Sequence, residues 1–178
     1  MTIETSLIQA LQTLLPTHKF ILARRNGVQP KSVYCLVTLL NEKQVGRIDE
    51  TLFLDNDQQE MRETVEAVVR LTYYGDSTST AYSDAKHCKS TIRSSVGRYT
   101  LSQNGYSLQN ITDVTQASSM MDTKLYTANT IDLTVLTVEQ TFIAMFVFGV
   151  GIHFIHAVKI IRVFINYTQL CKYGHGHL

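Results

Sequence analysis

Up to about residue 141 the chain alternates between short apolar stretches and polar connections, and the spacing within each stretch predicts its structure. The first stretch has isoleucine and leucine at helical spacing and stops at Pro16, which predicts an amphipathic N-terminal helix. The apolar positions of this helix are Ile3, Leu7, Leu11, Leu14 and Leu15.

Three stretches rich in β-branched and aromatic residues predict strands over residues 19–24, 32–40 and 63–75. The second is apolar without interruption, which is typical of a strand in the middle of a sheet. In the third, the apolar positions do not share one parity, which predicts a bulge or burial on both faces. These positions are Val65, Val68, Leu71 and Tyr73. Between the second and third stretches, residues 41–61 are polar and acidic and predict a loop or a long hairpin arm.

In residues 77–142 the pattern predicts a helix followed by two strands. The helix covers residues 77–98 and has a narrow stripe of small apolar side chains, which suits close packing on a sheet. The stripe consists of Ala81, Ala85, Cys88 and Ile92. Residues 106–118 and 123–142 predict the strands, and the second alternates apolar with polar side chains. The order predicts an α+β domain, with an antiparallel or mixed sheet flanked by two helices.

Charge is divided unevenly along the chain. Residues 1–141 carry 13 basic and 15 acidic side chains, whereas residues 142–178 carry three basic and no acidic ones. A nearly neutral body argues against a dedicated nucleic-acid-binding protein, which normally has a basic face.

The three cysteines are widely spaced and odd in number, which favours a reducing compartment. The first residues do not match the pattern of a secretory signal.

Few residues in the sequence form a pattern typical of a catalytic or metal-binding site. Asp55, Asp57 and Glu60 form an acidic cluster, but a calcium loop of the EF-hand type needs glycine where Glu60 stands, so a solvated loop is favoured. His153 and His156 lie in an apolar run without a third ligand, which favours structural histidines. Motifs for nucleophilic catalysis or for phosphate or dinucleotide binding are absent. We therefore assign no catalytic residue, no metal site and no cofactor.

Two stretches together resemble a known family. Residues 23–47 are a polar turn that leads into an apolar strand. Residues 68–94 are a strand that ends in Tyr74-Gly75, followed by an alanine-spaced helix with Arg93 near its end. With the leading helix and the closing strand, this order resembles the neck and tail terminator proteins of tailed bacteriophages over residues 4–141.

The resemblance implies a subunit without an active site that assembles into a ring, usually a hexamer, around the DNA channel. Its partners would be copies of itself and the portal or adaptor and tail proteins of the virion neck, after assembly in the host cytoplasm. Genomic DNA would pass through the ring without sequence-specific binding.

The acidic segment of residues 49–60 is a candidate for an interface loop, with Asp55, Asp57 and Glu60 at a subunit contact or facing the lumen. Carboxylates in the lumen would repel phosphates and let DNA slide. A plain solvent-exposed loop is the equal alternative.

The resemblance ends at about residue 141, and residues 142–178 form what we call the C-terminal arm. From Phe142 to Val158 it has no formal charge. We expect this arm to be buried against neighbouring subunits, because so large an apolar surface would not stay exposed. Its large apolar anchors are Phe146, Phe148, Ile152 and Phe154. The chain thus divides into a ring-forming domain, residues 1–141, and an assembly arm.

Two alternative hypotheses for the apolar run stay open. It is nearly long enough to cross a bilayer, and Lys159 and Arg162 after it suit a cytoplasmic flank, so a membrane-anchored accessory protein is the second, less favoured hypothesis. A tail read from a shifted frame is the third. For the whole chain, an enzyme with an unrecognised site is the alternative of a different class, and it would behave as a soluble monomer with a ligand pocket.

Overall fold

A computed structural model of the chain describes residues 2–23, 30, 32–53, 58–75, 78–121, 124–144 and 158–159. Its helices are α1 (Ile3–Leu14), α2 (Thr78–Arg93) and α3 (Ser95–Gln103). Its strands are β1 (Phe20–Leu22), β2 (Tyr34–Phe53), β3 (Gln58–Tyr74), β4 (Ser107–Ile111), β5 (Thr115–Met121), β6 (Lys124–Ala144) and β7 (Val158–Lys159).

One mixed sheet contains all the described strands. The long strands β2, β3 and β6 form its antiparallel centre. β1 runs parallel to β2 at one side, and β4, β5 and β7 each pair with the far edge of β6. The predicted α+β class with a mixed sheet is therefore confirmed.

The core lies on one face of this sheet. In β3 and β6 the side chains at alternate positions are apolar and buried, which confirms the alternation predicted for the last strand. The buried positions are Val65, Ala67, Val69, Leu71, Tyr73, Ile131, Leu133 and Val135. The predicted bulge in the third strand is wrong, because β3 keeps one parity and Val68 is only half-buried. The register shifts lie in β2 instead, between Leu39 and Asn41 and between Val45 and Asp49.

Helices cover the core face. The apolar stripe of α1 and the small-residue stripe of α2 belong to the same buried cluster as the strand positions, as predicted. Ala81, Ala85 and Cys88 are 0–1% exposed, and their small size lets α2 lie close to β3 and β6. The Tyr106 hydroxyl donates a hydrogen bond to the Ile3 carbonyl (3.1 Å) and so joins the start of α1 to the start of β4.

The helix predicted over residues 77–98 is two helices, because the chain turns at Ser94. The Ser94 hydroxyl donates to the Thr91 carbonyl (2.7 Å) and accepts from the Gly97 N–H (3.0 Å), so it ends α2 and caps α3. The strand predicted over residues 106–118 is also two elements, since residues 112–114 leave the sheet between β4 and β5.

The polar residues 41–61 form a hairpin arm rather than a loop. β2 and β3 stay paired from Asp49 opposite Arg62 to Phe53 opposite Gln58. β6 pairs with β3 over the same stretch, as far as Gln58 opposite Ala144, so the arm has three strands. We call residues 41–53, 58–66 and 136–144 the β-arm. It continues seven residues beyond Val65, the last apolar core position of β3, which is about 23 Å.

The beginning of the C-terminal arm is part of the sheet. β6 continues through residue 141 to Ala144, and β7 pairs with Phe142 and Ile143. Residues 145–157 and 160–178 lie outside the described residues.

The joint between α2 and α3 leaves no space for a side chain at Gly97. A Cβ atom there would collide with the Thr91 carbonyl oxygen and would lie 2.7 Å from the carbonyl oxygen of Ile92. We expect Gly97→Ala to lower the free energy of unfolding by about 1–3 kcal/mol, measured by urea denaturation. Ser95→Ala, at an exposed position of the same turn, is the control and should change stability by less than about 0.5 kcal/mol. Equal stability of the two variants would contradict the tight joint.

Candidate assembly surfaces

Two histidines and a tyrosine form a polar network that reaches from the buried Tyr73 to the exposed His87. His18 Nδ1 lies 3.0 Å from the Tyr73 hydroxyl, and His18 Nε2 lies 3.3 Å from His87 Nδ1. The ring of Phe20 stacks on His18 with 6.1 Å between centroids. The network joins the connection after α1 to β3 and α2. Local sequence patterns do not indicate this pairing, because the two histidines are 69 residues apart.

The thiols beside this network stay protonated. Burial raises the pKa of the Cys88 thiol to about 12 and raises the pKa of the Cys35 thiol well above its ordinary value. Burial also raises the pKa of the Tyr73 hydroxyl. Because the thiolate is the reactive form, neither cysteine is a nucleophile at neutral pH. The prediction that Cys88 is a core thiol is confirmed, since it is 0% exposed.

On the face of the sheet away from the helices, opposite charges neutralise each other. Lys43 Nζ lies 2.8 Å from a carboxylate oxygen of Glu66, and Arg62 donates a hydrogen bond to Glu60. Nearer the core, the Arg70 guanidinium donates two hydrogen bonds of 2.7 and 2.8 Å to Asp132. This face therefore holds its cations and carboxylates in pairs.

The helix-side face of the β-arm carries carboxylates. Glu63 lies two residues beyond Val65 in β3 and directly opposite Glu139 of β6, and Glu42 of β2 lies opposite the buried Ala67. Strand alternation therefore places all three on the core side of the sheet. No lysine or arginine occupies a paired position on this side among the described residues of the β-arm. We call Glu42, Glu63 and Glu139 the acidic face.

Like charges directly opposite each other destabilise a pair of strands. Glu63 and Glu139 are both half-buried, and strand pairing holds them side by side. β2 also exposes large apolar side chains to solvent: Leu40 is 45%, Val45 38% and Ile48 39% exposed. Val45 is opposite Thr64 and so lies on the face away from the helices.

The outward side of α2 is basic. Lys86, Lys89 and Arg93 line a shallow groove of about 400 Å³, which we call the basic groove. The ammonium group of Lys86 lies 4.6 Å from the centre of the Tyr82 ring. Lys89 pairs with Asp113, and the hydrogen bond and charge of Lys89, with the charge of Arg93, lower the pKa of the Asp113 carboxyl. In the described part of the chain, no carboxylate forms an ion pair with Lys86 or Arg93.

A cavity of about 350 Å³ opens where the end of α3 meets β6. Its wall includes Ser102, Ser107 and Thr137, and the buried Thr137 hydroxyl has no hydrogen-bond partner among the described residues. The lining contains no carboxylate, histidine or cysteine, so its hydroxyl groups have none of these groups beside them to act as a base.

Of the site residues predicted from sequence, only Glu60 lies within the described residues. It is a strand residue of β3 rather than a loop residue, because β2 and β3 pair from Phe53 opposite Gln58 onwards, with Thr51 opposite Glu60. Glu60 is 3% exposed and accepts hydrogen bonds from Arg62 and Gln140.

The other predicted contacts stay predictions. They involve Asp55, Asp57, Phe146, Phe148, Ile152 and Phe154, which lie outside the described residues.

The described surfaces are those of a protein that works by contact with other proteins: a projecting arm with an acidic face and a separate basic groove. A family model of the phage neck terminator protein matches residues 5–166, and the chain belongs to this family. Membership makes it a structural protein of the phage virion neck, in association with other head–tail proteins. No curated protein matches the chain.

The family match corrects one expectation from the sequence. It extends to residue 166, so the whole apolar run from Phe142 to Val158 lies within the family pattern, and the expected departure from the family at residue 141 is wrong. Because the apolar run matches the family pattern, the hypothesis of a tail read from a shifted frame is disfavoured up to residue 166.

No helix within the described ranges combines the length and hydropathy of a membrane span. Across the same ranges, no three ligand-type side chains converge as a metal site.

The buried His18 predicts how stability depends on pH. Burial lowers the pKa of His18 below its ordinary value of 6.5, the charge of His87 lowers it further, and Asp84 raises it in part. Below pH 6.5 the unfolded chain takes up a proton that the folded chain resists, so the free energy of unfolding falls as pH drops. The slope from this one group is at most about 1.4 kcal/mol per pH unit.

Urea unfolding at about pH 7.5 and about pH 5.5, on either side of the ordinary histidine pKa, measures this effect. We expect wild type to lose more stability on acidification than His18→Gln, which has no proton to gain at this position. Parallel losses in the two proteins would contradict the buried, neutral His18.

Proposed function

We propose that copies of this protein form a homo-oligomeric ring, a hexamer, in the phage neck. This ring joins the portal or adaptor to the tail around the DNA channel. The observation that carries the proposal is the family match over residues 5–166, because it includes nearly all of residues 1–141 and the whole apolar run. The β-arm supports it, since a contact from one subunit to the next needs an element that extends beyond its own core.

A ring needs two different surfaces on each subunit. Head-to-tail contacts join one surface to the other on the next copy, and they close when the rotation between copies fits. The β-arm and the outer side of α2 differ in charge and in position, as such contacts require. A two-fold dimer would instead use one self-complementary surface.

We propose that the C-terminal arm is buried in this assembly through Phe146, Phe148, Ile152 and Phe154. Large apolar side chains near the centre of an interface usually contribute most of the binding free energy. A bilayer anchor is the second use of this segment, favoured by its length without charge.

Asp55 and Asp57, which lie between β2 and β3 in the sequence, contribute to a subunit contact or to the lumen. Glu60 helps to hold β3 against β6, because it accepts a hydrogen bond from Gln140. DNA passes through the ring without sequence-specific binding, which fits a body with slightly more acidic than basic side chains.

We further propose that the protein is not an enzyme, binds no cofactor and is assembled into the virion in the host cytoplasm. The protonated core thiols and the lack of a carboxylate, histidine or cysteine in the cavity lining support the first point.

The mass of the purified full-length chain in detergent-free buffer tests the ring. We expect light scattering to give a particle of about six subunits, and negative-stain images of the same peak to show closed rings. Imaging of that peak is the control against irregular aggregation. A monomer at every concentration and salt level would overturn the ring, and extraction from membranes only with detergent would favour the bilayer anchor.

The anchors of the C-terminal arm predict a second result. Phe146→Asp with Phe154→Asp should raise the protein concentration needed for half-assembly by about tenfold or more, because buried aromatic anchors commonly contribute about 2 kcal/mol or more each. Val96→Asp, at a position 65% exposed on α3, is the control and should leave assembly unchanged. Normal assembly of the double variant would remove the C-terminal arm from the interface.

A further inference from the structure

We propose that residues 160–164 add a strand to an open edge of β6 in the same chain. This strand would fasten the end of the apolar run to the β-arm and leave residues 145–157 to reach the neighbouring copy. The inference goes beyond the ring proposed above, because the added strand would also form in a single subunit.

One stretch of β6 has a strand on one edge only. β3 pairs with β6 from Ala128 to Ala144. On the other edge, β4 pairs as far as Leu136 and β7 pairs from Phe142. Among the described strands, none pairs with residues 137–141 on this side, which we call the open edge. Such an edge presents backbone N–H and C=O groups to which another strand can pair.

The direction of β7 leads the following residues onto the open edge. β7 is antiparallel to β6, with Lys159 opposite Phe142. The same register, continued, places residues 160–164 opposite residues 141–137, in that order. One position further along, Leu136 already pairs with β4. The gap between β7 and β4 therefore has the length of this segment.

The side chains of the segment suit this position. Its sequence, Ile-Ile-Arg-Val-Phe, is rich in the β-branched and aromatic residues that favour strands. The register places Arg162 opposite Glu139, which has Glu63 on its other side in β3. Glu139 already has an interaction within the chain, and Arg162 would add a cation beside two half-buried carboxylates. Opposite charges at paired positions stabilise neighbouring strands.

The end of the added strand would reach the cavity beside α3. Val163 and Phe164 would lie opposite Val138 and Thr137, and both of these β6 residues line the cavity of about 350 Å³. A cavity of about 150 Å³ can hold a benzene ring, so an aromatic side chain fits here. Thr137 is 2% exposed, and the added strand would bring backbone N–H and C=O groups beside its hydroxyl.

The same segment of a second copy is the competing occupant of the open edge. The chain's own segment is favoured because β7 of the same chain already pairs with Phe142 and Ile143, directly next to this edge. The connection from β6 to β7, residues 145–157, is longer than the 2–5 residues that a hairpin commonly uses, so it can close within one chain.

Disulfide trapping in the full-length chain tests both the strand and its register. The test variant carries Val138→Cys with Val163→Cys, which the register places directly opposite each other. Their Cα atoms would lie about 4.5–5.5 Å apart, a distance that a disulfide spans. The matched control carries Val138→Cys with Ile161→Cys, on the same face but diagonal to each other at about 7–8 Å, which is too far.

A second in-register pair, Thr141→Cys with Ile160→Cys, tests the opposite face of the strand without changing the cavity. All variants also carry Cys171→Ser, and the native Cys35 and Cys88 are buried. Circular dichroism and urea unfolding of the reduced proteins establish that each variant is folded. Oxidised glutathione is then added to the folded protein, and disulfides are located by non-reducing gels and peptide mass spectrometry.

We expect most molecules of both in-register variants to lose their two engineered thiols to a disulfide within one chain. Few molecules of the diagonal control should do so, because its cysteines are too far apart without movement of the backbone.

A disulfide that forms equally in the test variant and the diagonal control, in the control alone or in no variant would overturn the added strand. A disulfide that joins two chains would assign the open edge to the neighbouring copy and overturn the contact within the chain. Light scattering of the reduced proteins measures the ring separately, so either failure leaves the ring proposal standing.

Discussion

The structure depends on the pairing of β3 with a neighbour along both of its edges. From Gln58 to Tyr74 it pairs with β6 without a shift in register, and β2 pairs with its other edge over the same length. Because side chains alternate strictly along such a strand, the parity that buries Val65 and Tyr73 in the core also fixes the side on which Glu63 lies. Core and β-arm are thus two parts of the same three strands, and the core sets the orientation of the charges outside it.

This continuity shows how a small domain can serve as a connecting part. A helix layer covers the sheet only as far as the apolar positions extend, and beyond them the same strands continue with polar and charged side chains. Pairing on both edges gives β3 of the β-arm the backbone hydrogen bonds that a lone hairpin would have on one edge only. The ion pairs of the outer face, Lys43 with Glu66 and Arg62 with Glu60, hold that face together, while the acidic face brings like charges side by side.

Periodicity was enough to predict α1, the central strands, the stripe of α2 and the fold class, because each is encoded within a dozen neighbouring residues. The features that need long-range register were not predictable in the same way. His18 meets His87, and Glu63 meets Glu139, only once the sheet has formed. The turn at Ser94 was missed because Gly97 and the Ser94 cap lie inside a pattern that otherwise continues as a helix. The family resemblance seen in the sequence is confirmed, although the match extends further into the apolar run than expected.

The central claim is that the β-arm joins one copy of the chain to the next in a closed ring. A cryo-electron microscopy reconstruction of the purified assembly tests it most directly. We expect a closed ring in which the β-arm of each subunit contacts the neighbouring copy. A ring whose β-arms extend into solvent, with the subunits in contact elsewhere, would contradict this claim.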